Sequence, residues 1–117
     1  MASEVMSGTC LRFYVHENRR LHHVLLYDWL LETANRLGIH GGSAFRAIAG
    51  FGRHGVIHEQ HFFELAGDLT VEVEFLVTDE EADRLIQVIK AERVRIFFAR
   101  SRSEYGVLGE DEPSARP

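Results

Sequence analysis

The sequence predicts an α+β sandwich, a four-stranded antiparallel sheet with two helices on one face. Three observations predict it. Residues 11–16 and 69–77 alternate apolar and polar side chains, the period of a half-buried strand. Residues 27–37 and 82–89 repeat apolar side chains at helical spacing. The segments follow one another as strand, helix, strand, strand, helix, strand.

Each element has its own signal. Leu11, Phe13 and Val15 alternate with Arg12, Tyr14 and His16 in the first strand. Tyr27, Leu30, Leu31, Ala34 and Leu37 form the stripe of the first helix, which is expected to stop at Gly38, a residue suited to a left-handed cap. The run 43–48 reads as a second strand, weakened by Ala44 and Ala47, and a loop with Gly50, Gly52 and Gly55 follows. Leu69, Val71, Val73, Phe75 and Val77 then alternate with Thr70, Glu72, Glu74 and Leu76, the strongest strand signal in the chain. Thr78-Asp79-Glu80-Glu81 opens the second helix as a capping box, and Ala82, Leu85, Ile86 and Ile89 are its buried stripe. A last strand is expected over 94–99, with Ile96 and Phe98 on one face. Right-handed crossovers turn this order into a ferredoxin-like βαββαβ sandwich.

The length of 117 residues fits one domain, and 45% apolar residues suffice for one core. The expected domain is 10–102, between a flexible N-terminus, 1–9, and a loosely ordered extension, 103–117. A net charge of -5 argues against a dedicated nucleic-acid binder. Cys10 is the only cysteine, so no disulfide forms within the chain and no thiolate metal site is available. A reducing compartment fits best. The first ten residues lack the apolar run of a signal peptide. The most apolar stretch, 24–31, is too short to span a bilayer. A cytoplasmic protein without direct membrane insertion is expected.

The loop Gly50-Phe51-Gly52-Arg53-His54-Gly55 is the most informative piece. Its glycines allow positive φ and close approach to a ligand, and its N–H groups can form a nest for an anion. Arg53 and His54 add donors for phosphate or carboxylate. The same loop would also serve as a plain hairpin connection. Arg46, on the preceding strand, has two readings: an anion clamp, or a cross-sheet pair with Glu72 or Glu74, the commoner fate. Glu17 answers Arg53 or Arg46, binds a ligand hydroxyl, or is a surface acid. His54, His58 and His61 have three and two residues between them and are a candidate zinc or copper set. Strand alternation separates His58 from His61 and weakens that set. Lys90, Arg95, Arg100 and Arg102 make the C-terminal third locally basic, as a solvated face or a phosphate-facing edge. No nucleophile elbow, P-loop or His-Glu-x-x-His helix is present, so an enzyme is not expected.

The chain resembles the PII-like family known as domain of unknown function 190, over about 11–99. The likeness rests on Arg12-Phe13-Tyr14-Val15 with Glu17, Leu26-Tyr27, Gly38-Ile39-His40-Gly41-Gly42-Ser43, Phe45-Arg46-Ala47-Ile48-Ala49-Gly50-Phe51-Gly52, His58 and Asp68-Leu69. It implies a ferredoxin-like subunit, and a homotrimer with clefts between subunits. Gly50-Phe51-Gly52-Arg53 resembles the base of the PII effector loop, which implies an adenine nucleotide as ligand at Gly50, Gly52, Arg53 and His54. The sequence departs from PII proteins in two places. The connection after Arg53 is short and has no tyrosine, and Lys90-Ala91-Glu92-Arg93 lacks the glycines of the second phosphate loop.

The expected function is a PII-like regulator that binds a small anion at an intersubunit cleft and signals to a protein partner. A metal-responsive protein similar to the CutA-like proteins, using the loop histidines, is one alternative. A non-enzymatic assembly scaffold is another. An oligomer is also expected from Phe62, Phe63, Phe97 and Phe98, which put apolar side chains on both sheet faces when two helices can cover only one.

Overall fold

The computed structural model describes residues 4–51 and 69–109. β1 (Glu4–His16) is the longest strand among the described residues. Two short strands, β2 (Arg20–Leu21) and β3 (Val24–Leu25), form a hairpin before α1 (Leu26–Arg36). Then come β4 (Ser43–Arg46), β5 (Thr70–Val77), α2 (Asp79–Ala91) and β6 (Phe97–Val107). The main sheet has the order β4-β5-β1-β6, antiparallel throughout. With its two helices it is the expected ferredoxin-like sandwich.

The alternation read in the sequence sets the register. Leu11 lies opposite Phe75 and Phe13 opposite Val73, so the apolar sets of β1 and β5 share one face. The helices cover that face with Leu26, Leu30 and Ala34 from α1 and Ala82, Leu85 and Ile89 from α2. Phe13 and Phe75 meet edge to face with centroids 6.2 Å apart. The other face carries Arg12, Tyr14, Glu72, Glu74 and Leu76, with Phe45 and Phe97 from the flanking strands, and the helices leave it open.

Local chemistry ends the helices as the sequence suggests, with one exception. The Glu81 N–H donates to Thr78 Oγ1 at 3.1 Å and the Thr78 N–H to Glu81 Oε1 at 3.0 Å, completing the capping box. Gly38 takes φ +89, and the N–H groups of Gly38 and Ile39 donate to Asn35 and Ala34, a Schellman ending that buries Ile39. At the end of α2 the equivalent left-handed position belongs to Arg93, at φ 59. A side chain there is strained, so Arg93→Gly is expected to raise stability by about 0.5–1 kcal/mol, the αL penalty less the entropy cost of glycine. A lower urea midpoint for this variant would contradict the account.

Several boundaries differ from expectation. β1 begins at Glu4 and β6 runs to Val107, so 4–9 and 103–107 are paired strand rather than loose ends. Val5, Met6, Ser7, Glu104, Gly106 and Val107 are exposed, so no core imposes an apolar period on the outer part of this ribbon. β6 also starts at Phe97 rather than 94, and β4 ends at Arg46 rather than 48. The β2–β3 hairpin turns through His22 and His23, at φ 54 and 70. Such a turn normally advertises itself as Asn-Gly, which is why the sequence did not reveal it. Among the described residues no helix is long and apolar enough to cross a membrane.

Candidate functional site

Two of the sequence-predicted residues meet at one corner of the sheet. Glu17 directly follows β1, and its N–H donates to Leu69 O at 2.8 Å, which holds the chain against the start of β5. Arg46 ends β4 opposite Val71, and the next N–H, from Ala47, donates to Thr70 O at 2.8 Å. The Arg46 guanidinium forks onto the Glu17 carboxylate, Nε to Oε1 at 2.7 Å and Nη2 to Oε2 at 3.1 Å. Of the two readings of Arg46, the pair with Glu72 or Glu74 is not formed. Arg46 shares the face of Val71, whereas those two glutamates point to the other side of the sheet.

This pair borders an open recess of about 390 Å³ lined also by Asn18, Leu25, Tyr27, Ala44 and Phe45. The Arg46 side chain is 58% exposed and that of Glu17 only 16%. An ion pair this exposed contributes little to stability, about 0–1 kcal/mol. Its value is geometric: Glu17 holds the guanidinium plane fixed through Nε and Nη2. An exposed planar guanidinium held in this way suits capture of phosphate or carboxylate.

The other predicted residues are less informative. Gly50 is exposed, does not take a positive φ, and leaves open space where a Cβ would be. Gly52, Arg53 and His54 lie outside the described residues, as do the metal candidates His58 and His61 and the aromatic residues Phe62 and Phe63. Among the described residues no cluster of three or more histidine, cysteine or acidic side chains could hold a metal ion. Of the basic residues named in the C-terminal third, Arg100 and Arg102 are paired with acids. Arg100 pairs with Asp83 at 3.1 Å and Arg102 with Asp79 at 3.6 Å, and the exposed Asp79 carboxyl is held below the usual carboxylate range mainly by the Thr9 hydroxyl. Burial pushes the Cys10 thiol up, which suits a packing residue rather than a nucleophile.

Sequence reasoning missed a second concavity. α2 and β6 enclose about 520 Å³ between Ile86, Ile89, Val94, Ile96 and Phe98, with Lys90 and Arg100 at its rim. Val94 and Ile96 were legible only as strand residues. Because β6 starts later, they line this groove from a connecting segment instead.

A family model described as DUF190, an uncharacterized ACR, matches residues 8–101. The UPF0166 protein of Aquifex aeolicus (strain VF5) is 34% identical over 86 residues, covering 74% of this chain and 82% of that protein. A UPF0166 protein of Methanocaldococcus jannaschii is 29% identical over 82 residues, covering 70% and 75%. Among solved structures the fold is similar to CPII, a nitrogen regulatory PII-like protein from Thiomonas intermedia K12, seen bound to ADP, AMP and bicarbonate. That match has a TM-score of 0.64 at 14% identity and covers 87% of this chain and 91% of CPII. A protein described as PII-like from Thermus thermophilus is similar with a TM-score of 0.58 at 20% identity, covering 90% and 93%.

Proposed function

Because the chain belongs to the DUF190 family and its fold is that of PII-like proteins, we propose that it is a non-enzymatic regulator. In this reading it assembles as a homotrimer and binds a small anion, with an adenine nucleotide as the ligand class. The site is an intersubunit cleft at the corner where β4 leaves the sheet. The observation that carries the proposal is the exposed, bidentate Glu17–Arg46 pair at the root of the glycine-rich loop. Arg46 meets the phosphate with its exposed guanidinium, and the N–H groups of Gly50 and Gly52 add hydrogen bonds, with Arg53 and His54 as further donors. CPII, which shares the fold, binds ADP and AMP, and this is the ground for the nucleotide class.

The open sheet face supports assembly. Phe45, Leu76 and Phe97 are exposed on it, and Arg12 lies there with a buried Nε that has no hydrogen-bond partner among the described residues. A second subunit on this face covers the apolar side chains and offers an acceptor to Arg12.

Calorimetric titration with ATP, ADP, AMP and cyclic nucleotides tests the ligand. Heat is expected with at least one of them, and Arg46→Ala is expected to weaken that binding by about tenfold or more, the worth of a hydrogen bond to a charged group. No heat with any of these at millimolar concentration removes the nucleotide reading.

A further inference from the structure

The groove between α2 and β6 exists because two helices do not cover four strands evenly. α2 packs against β1 and β5, so the helix layer stops short of the edge strand β6. Phe98 lies directly opposite Phe13, and Arg100 opposite Leu11, which places both on the core side of the sheet. Phe13 and Leu11 are buried there. Phe98 lies against the Phe13 ring, with centroids 6.2 Å apart, yet stays 44% exposed. The core side of the sheet is therefore open along β6.

The facing wall comes from α2. Asp83, Ile86, Gln87 and Lys90 recur three and four residues apart and form one flank of the helix, beside its buried stripe of Ala82, Leu85 and Ile89. Val94 and Ile96 complete the wall from the segment between α2 and β6. The hollow of about 520 Å³ falls within the roughly 300–1,000 Å³ usual for small-molecule sites. Its floor and walls are apolar and its charges stand at the rim, which is also the usual plan of such sites.

Three charged groups face the groove: Asp83, Lys90 and Arg100. Arg100 and Asp83 hold each other at 3.1 Å, so their charges cancel locally. The exposed ammonium of Lys90, in the last turn of α2, has no partner among the described residues. One positive charge is left over beside an apolar trough. The matching ligand has a single negative group on an apolar body. A nucleotide polyphosphate does not match, because its several charges would lie against Ile86, Ile96 and Phe98 with one spare cation among them. The Arg46 corner belongs to β4, the other edge of the sheet, so the two places are separate. The face assigned to assembly is the one turned away from the helices, so a second subunit on that face leaves the groove open.

We propose that this groove is a second ligand site, which takes a small monocarboxylate with an aliphatic or aromatic body. The body lies on Ile86, Val94, Ile96 and Phe98, and the carboxylate meets the Lys90 ammonium. Covering Phe98 removes apolar surface from water, and the charged hydrogen bond to Lys90 fixes which end of the ligand points outward. The site stands independently of the anion site at Arg46.

Calorimetric titration of the full chain with decanoate tests this, with decanol, the same chain without a carboxylate, as the control. Decanoate is expected to saturate at one per chain and decanol to bind more weakly. Lys90→Gln is expected to weaken decanoate about tenfold, the worth of a hydrogen bond to a charged group, and to leave decanol unchanged. Ile86→Trp is expected to fill the groove and abolish both. Lys90 is exposed, so its variant reads the site even where the tryptophan disturbs the helix. Arg46→Ala is expected to leave decanoate binding as it was. No saturable heat with decanoate at millimolar concentration overturns the site, and equal affinity of the wild type and Lys90→Gln overturns the place given to the carboxylate. Loss of decanoate binding in Arg46→Ala puts the ligand at the other edge of the sheet and overturns the groove. Binding that appears only on dilution to the monomer means that a second copy fills the groove, and the proposal falls.

Discussion

Phe75→Ala is expected to cost the fold about 3–5 kcal/mol, the usual toll for emptying a large aromatic site in a core. Phe75 is 1% exposed, sits in the central pair of strands opposite Leu11, and meets Phe13 edge to face. Both helices pack on the face it occupies, so no single neighbour can move in without disturbing a layer. A loss of this size is a large part of the roughly 5–15 kcal/mol that holds a domain together. Urea unfolding followed by circular dichroism, at one fixed protein concentration, measures it. Phe75→Leu keeps most of the volume and is expected to lose less than half as much. A loss below about 1 kcal/mol for the alanine variant would mean that the core does not centre on this ring.

The second large effect is expected at Gly8. A Cβ built there would lie 2.2 Å from the carbonyl oxygen of Val77, a backbone atom that no rotamer change can move, with the Tyr105 ring at 3.1 Å. Gly8 stands where β1 parts from β5 and the ribbon begins. Gly8→Ala must therefore push the end of β5 away or swing the ribbon aside, at a cost of about 3 kcal/mol, the upper part of the range for overpacked sites. The loss is expected to appear in hydrogen exchange as faster opening of amides 4–8 and 103–107, while the amides of 11–15 stay protected. Unchanged exchange in the ribbon would show that the backbone relaxes without strain.

The candidate site was partly legible before any fold was known. Arg46 and Glu17 could be named because each is a charged residue at the edge of an apolar run, although each also had a bland reading. Their partnership could not be read. They are 29 residues apart in the chain, and only the β4-β5-β1 order brings their strand ends to one corner. The expected pair with Glu72 or Glu74 failed for a reason of parity: it needs Arg46 on the open face, and the register opposite Val71 puts it on the other. Gly50 does not use the positive φ that its missing Cβ allows.

Local rules therefore determined the elements, their order and the buried faces. The alternation of β1 and β5, the capping box at Thr78 and the glycine ending at Gly38 act within one turn or one strand, over distances the sequence displays directly. The tertiary structure alone decided what depends on how strands lie side by side. Glu17 meets Arg46, Arg100 and Arg102 are neutralised by Asp83 and Asp79, and two apparently loose chain ends pair into a ribbon. Hydrogen bonding between distant backbones stabilises that ribbon, and backbone pairing leaves no mark on side-chain period. The sheet was written in the alternation of its residues; the ribbon and the ion pair arose only from the register.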